Sequence, residues 1–169
     1  MRQGVLHRLD GVARTISPFF VTLLLVLFAL LPLRVTDFAP IMPAVALVGV
    51  FFWSVHRPDL MPIWAVFLIG FVQDLLAGGV WGPGILGLLL AHALVVWQHR
   101  FFLSASFILI WCVFMLVAAA AMAVTWLFTC LAMLTYIDPD PVFFQFLMTV
   151  ALYPVLAWLF LRGQRLFQR

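Results

Sequence analysis

Residues 101–136 run for 36 positions without a charged residue, a glycine or a proline. A helix crosses the ~30 Å hydrocarbon core of a bilayer with about 20 mainly apolar residues, and soluble core helices of this length and apolarity are not expected. The rest of the chain agrees. Charged residues make up 9% of its 169 positions, against roughly a quarter in a soluble domain, and the mean hydropathy is +1.22. The sequence therefore reads as a single all-α polytopic membrane domain, residues 1–169.

Six segments suit a membrane span: residues 18–33, 38–55, 60–77, 84–97, 101–136 and 142–161. Because hydrophobicity runs all round these segments, their limits rest on length and breakers, not on a 3.6-residue period. Pro43 and Pro154 fall inside two of them and each removes a backbone donor, so both spans are expected to kink. The fifth run contains no turn residue at which to divide it. It is read as one long helix, tilted or projecting beyond the bilayer.

Charge orients the bundle. With the N-terminus inside, Arg2, Arg8, Arg14, Arg57, Arg100, Arg162, Arg165 and Arg169 all fall on the cytoplasmic side. Only Arg34 is left outside, with Asp37, Asp138 and Asp140. That is the distribution of the positive-inside rule, and it places both termini in the cytoplasm. Residues 1–16 form a cytoplasmic segment in which Val5, Leu9, Val12 and Ile16 recur at helical spacing among arginines. That is the pattern of an amphipathic surface helix, though a plain basic tail would also set topology. Residues 17–162 make the six-helix bundle, and 163–169 a basic cytoplasmic tail. The first span ends in FALLPLRVTDFAP, which lacks a small-x-small cleavage site, so it is read as an uncleaved helix.

The spans hold little chemistry. The net charge of +3 comes from arginines placed singly between apolar runs, whereas a nucleic-acid binder needs a clustered basic face. An intramembrane aspartyl protease needs two carboxylates that share a proton, and Asp74 is the one acid within a span. Asp138 and Asp140 lie on the outer side, but neither aspartate motif of the lipoprotein signal peptidases is present. DGVAR at residues 10–14 resembles the opening of the CDP-alcohol phosphotransferase motif, yet it is one residue short and lacks the later aspartates. GGVWGPG fits neither a Walker loop nor a dinucleotide fingerprint, and no lysine exists to meet a phosphate. Cys112 and Cys130, 18 residues apart, would sit roughly 27 Å apart on one helix, beyond disulfide reach, and are expected to be buried thiols. His56 and His99 adjoin Arg57 and Arg100 at inner helix ends. His92 lies mid-span with no second ligand three or four residues away, so an interhelical hydrogen bond is expected and not a metal site. No enzyme activity and no cofactor is expected. Gly87 with Ala91, and Ala118 to Ala121, offer small-residue surfaces that let helices approach closely.

Asp74 is the exception in this apolar landscape. It lies about 14 residues, or roughly 21 Å, along the third span, in its outer third. The glycines after it form the outer turn, with Trp81 suited to the interfacial belt. An ionised carboxylate at this depth costs several kcal/mol unless it is paired or reached by water. Asp74 is therefore expected to pair with Arg34 or to cap the following helix through backbone N–H groups. A partner contact or an outward-facing ligand pocket is the other reading.

The order Pro62, Gly70, Asp74, Gly78, Gly82 resembles that of the rod shape-determining MreD family, whose motif runs Gly-Leu-Leu-x-Asp, then glycine, then Leu-Gly. This sequence reads GFVQD, LLAG and VWG; Phe71, Val72 and Trp81 replace leucines. The resemblance implies a bacterial inner-membrane protein of the cell-elongation (rod) complex, a non-enzymatic scaffold for peptidoglycan synthesis and cell shape. It implies the single-pass periplasmic protein MreC as partner, with MreB, RodA and its transpeptidase nearby. It also implies a six-helix fold like the substrate-binding subunit of energy-coupling-factor transporters, which keeps a solute-binding role as the alternative. Asp74, Arg34, Gly70, Gly78, Gly82 and His92 are the candidate structural or partner-contact residues.

Overall fold

The structure is a computed structural model that describes residues 22–24, 26–27, 44–78, 80–98, 102 and 106–167. Among these residues every regular element is helical. The helices are α1 (Val45–His56), a 3₁₀ turn (Pro58–Leu60), α2 (Ile63–Ala77), α3 (Pro83–Trp97), α4 (Phe107–Met133) and α5 (Asp140–Phe167). Residues 22–24 and 26–27 are also helical, within the first expected span. The basic N-terminal segment, Arg34 and Pro43 lie outside the described residues, as do the surface helix and the kink expected there.

The centre of the bundle is α1. Each residue from Ala46 to Val55 is buried, as a helix that is apolar all round requires. It packs on α2, α3 and α5, while α3 also meets α2 and α4. Aromatic contacts join three helices in the core. Phe51 of α1 meets Phe114 of α4 edge-on at 5.0 Å and Tyr153 of α5 at 5.8 Å, and Phe114 stacks on Tyr153 at 4.3 Å. Such geometries add about 0.5–1.5 kcal/mol per pair beyond the area they bury.

Large apolar side chains cover the outside: Trp64 and Phe67 on α2, Leu116 and Leu131 on α4, Phe143 and Trp158 on α5. A soluble monomer rarely exposes such continuous apolar surface, but a lipid-facing bundle must. Two helices, Phe107–Met133 and Asp140–Phe160, are long and apolar enough to cross a membrane, while α1, α2 and α3 are shorter apolar helices. At ~1.5 Å per residue the 15 residues of α2 or α3 rise about 22 Å.

The long fifth run departs from expectation. It is not one helix over 101–136, because α4 begins only at Phe107. Ser106, in extended conformation, caps it by accepting from Leu109 N–H at 3.5 Å. The helix ends at Met133, where Leu134 adopts the left-handed conformation (φ 51°) and Thr135 N–H turns back to Cys130 O at 3.3 Å. Glycine usually fills that position, so a leucine there leaves no turn signal in the sequence. The cysteines are a second correction: Cys112 is exposed and Cys130 partly so. The buried stripe of α4 runs through Phe114, Val117, Ala118, Ala121 and Met122, and Cys112 lies across the helix from it.

Candidate functional site

The turn from α2 to α3 is built around one carboxylate. Gly78 ends α2 in the left-handed region (φ 66°), and Gly82, at φ 119°, opens α3 ahead of Pro83. A side chain is strained at either φ, which is why glycine occupies both. Asp74, one turn before the end of α2, is only 7% exposed. Its Oδ2 accepts from Gly82 N–H at 2.9 Å and from Ile85 N–H at 3.3 Å. These are the N-cap and third-position donors of α3, which a capping box on the helix itself would satisfy. Here a neighbouring helix satisfies both. The negative charge also sits at the positive end of the α3 dipole. Of the two arrangements expected for Asp74, the backbone one is present; Arg34 lies outside the described residues.

Small residues make this approach possible. A Cβ on Gly84 would run into Asp74 Oδ1, and a Cβ on Gly70 would lie 2.8 Å from the backbone Cα of Ile85. The α2–α3 crossing thus depends on Gly70 and Gly84 as much as on Asp74. Gly87 does the same on the other flank, where a Cβ would meet Thr125 Oγ1 and lie 3.1 Å from Ala121 O. The two small-residue surfaces, Gly87 with Ala91 and Ala118 to Ala121, lie on helices that pack together; Gly87, Ala91, Ala118 and Ala121 are buried, while Ala119 is exposed and Ala120 half-buried.

Further polar bonds complete the arrangement. Thr125 Oγ1 of α4 donates to Pro83 O at the start of α3, at 3.2 Å. His92 of α3, 5% exposed, shares a 2.8 Å hydrogen bond with Ser54 Oγ of the central helix, the interhelical bond expected of it. Thr149 Oγ1 of α5 accepts from Ala44 N–H at 2.9 Å and donates to Gln145 O at 2.7 Å. His56 stays local, its Nδ1 3.0 Å from Phe52 O. Sequence reasoning passed over Ser54, Gly84, Thr125 and Thr149. The signal that marked His92, a polar group in an apolar run, applies to Ser54, Thr125 and Thr149 as well. Among the described residues no three His, Cys, Asp or Glu side chains group as a metal site.

The family model described as rod shape-determining protein MreD matches residues 13–162. The chain belongs to the MreD family. No curated protein and no solved structure matches it, so the likeness to energy-coupling-factor subunits gains no support from known structures. MreD membership makes this a membrane protein of rod shape determination and a member of a shape-determining complex, in a structural class not known for enzyme activity. The match takes in the whole α2–α3 turn of this MreD chain, with Asp74 and its glycines.

Proposed function

We propose that the chain is a non-enzymatic, multi-pass scaffold of the inner membrane, with both termini cytoplasmic. Its partner would be an MreC-like single-pass periplasmic protein, with MreB, RodA and its transpeptidase close by to couple it to peptidoglycan synthesis. One observation carries the reading. Asp74, the sole acid of the expected spans, is taken up by the backbone of α3, the use a structural carboxylate would have. Family membership and eight of nine arginines on one expected side support the same picture. Lipid would cover the apolar outer faces of α2, α4 and α5.

The test is to purify the tagged protein from its native membrane in mild detergent and identify what accompanies it. Recovery of a single-pass, coiled-coil periplasmic protein is the expected result. Recovery of two ATPases with a coupling subunit would overturn it in favour of a solute-binding transporter component. Reporter fusions at each terminus test the topology: a periplasmic signal from either end contradicts it.

A further inference from the structure

A cavity of about 180 Å³ lies where the first turns of α1, α3 and α5 meet the last turns of α2 and α4. Its wall is mostly apolar, with Leu47, Leu88 and Met122 prominent, and Trp126 lends an aromatic flank. Among the described residues no charged side chain lines it, and its polar side chains include Gln73, Thr125, Thr129 and Gln145. Its polar groups are specific in character. Thr125 and Thr129 spend their hydroxyl protons on Pro83 O (3.2 Å) and Thr125 O (2.7 Å), and the Trp126 indole N–H donates to Ile137 O at 3.1 Å. What the two threonines still offer is oxygen lone pairs. Gln73, one residue before Asp74, adds another acceptor: its Oε1 is shielded from solvent and has no hydrogen-bond partner among the described residues. A buried amide oxygen left unpaired is costly, and the soft terminal torsion of glutamine lets it swing toward a donor in the cavity.

We propose that this cavity is a binding site for a small uncharged molecule that carries a hydrogen-bond donor, a hydroxyl or an amide N–H, on a compact apolar body. An apolar lining with a few convergent polar groups is the usual make-up of a small-molecule site. The lining atom that is both shielded and unpartnered among the described residues is an acceptor, Gln73 Oε1, so the ligand supplies the proton there. With no charge on the described wall, an ionised ligand would find nothing there to offset its desolvation. The site is separate from the scaffold reading, because it needs only this chain.

Para-fluorophenol and para-fluoroanisole are the probes, alike in size but differing in the donor. Each is titrated into the full-length protein in phosphatidylcholine nanodiscs and followed by fluorine NMR, with empty nanodiscs correcting for partition into lipid. Phosphatidylcholine has no hydroxyl or amide donor, so the lipid does not compete by this chemistry. Saturable binding of the phenol, about tenfold tighter than that of the anisole, is expected from one buried hydrogen bond. Gln73→Leu should shrink that preference to less than about threefold, and Thr129→Phe, which fills the cavity, should abolish saturable binding of both. Equal affinities in the wild type, no saturable signal for either probe, or an undiminished preference in Gln73→Leu would each overturn the proposal. The wild-type comparison stands even if neither variant folds. Whether a periplasmic partner copurifies has no bearing on it, so the two readings fail independently.

Discussion

Asp74 and Gly84 compete for the same space, which gives a prediction with a sign change in it. Asp74→Ala strands the N–H groups of Gly82 and Ile85, and each orphaned buried donor costs about 1–3 kcal/mol. Relief from burying a carboxylate returns part of that, so a net loss of about 2 kcal/mol is expected. Gly84→Ala alone pushes Asp74 Oδ1 aside and breaks the same cap. A gain of up to about 1 kcal/mol for alanine over glycine in a helix offsets some of this, leaving a loss of about 1–2 kcal/mol. The three atoms that a Cβ at position 84 would meet first all belong to Asp74. In the Asp74→Ala background they are gone, so Gly84→Ala becomes neutral or stabilising. The cycle therefore closes with a coupling of about 2 kcal/mol, well beyond the ~0.5 kcal/mol scatter of independent sites. Reversible denaturation of the four proteins in one detergent, read by tryptophan fluorescence, measures it. Additive effects would refute the claim that the carboxylate occupies the space an alanine would need.

The other predictions use the same unfolding assay or simple chromatography. Gly70→Ala should cost about 1–3 kcal/mol by forcing α2 from the Ile85 backbone, whereas Gly78→Ala, with open space around it, should cost only about 1–2 kcal/mol from its left-handed φ. The reverse order would contradict the close α2–α3 crossing. Ser54→Ala leaves His92 buried without its partner and should cost about 1–3 kcal/mol, while adding His92→Leu should restore part of the loss. If the double variant is no better than the single, the bond is not what holds those groups. Gly87→Val should drive α3 off Thr125 and Ala121 O, so that size-exclusion chromatography shows aggregated protein; a monodisperse folded peak would count against that contact.

Much of this was legible from the residues. The helices at 45–56, 63–77, 83–97 and 140–167 fall on the spans expected at 38–55, 60–77, 84–97 and 142–161, which follow from runs poor in charge and punctuated by Pro and Gly, and the polar bond of His92 was expected too. The limits of α4 were not legible, for two reasons of different kinds. At its start, Ser106 works as a cap although a serine inside an apolar run reads as a tolerated helix residue. At its end, the left-handed position is held by Leu134, and nothing local announces it. For Asp74 a pair with Arg34, a cap on the following helix, a partner contact and an outward-facing ligand pocket all stayed open. Expecting the backbone cap requires knowing that Gly84, the second residue of a different helix, lies against the carboxylate, and that is information about packing that no spacing rule contains.

The polar contacts share a geometry that bears on how a scaffold of this kind is put together. Asp74 reaches α3 from α2, Thr125 from α4 and Ser54 from α1, and each meets it with a hydrogen bond. Lipid is as apolar as leucine, so helices in a bilayer are held by close packing and by hydrogen bonds between them. A short helix rich in glycine, with an apolar surface all round, would have little to fix its position except such bonds. Fixing it from three sides leaves the outward faces of α2, α4 and α5 free of structural polar duty. Exposed residues there, Phe67, Leu116 and Leu131 among them, are then open to lipid or to a partner helix. Variation around α3 should therefore register first as lost stability, and variation on those outer faces as lost assembly with the fold intact.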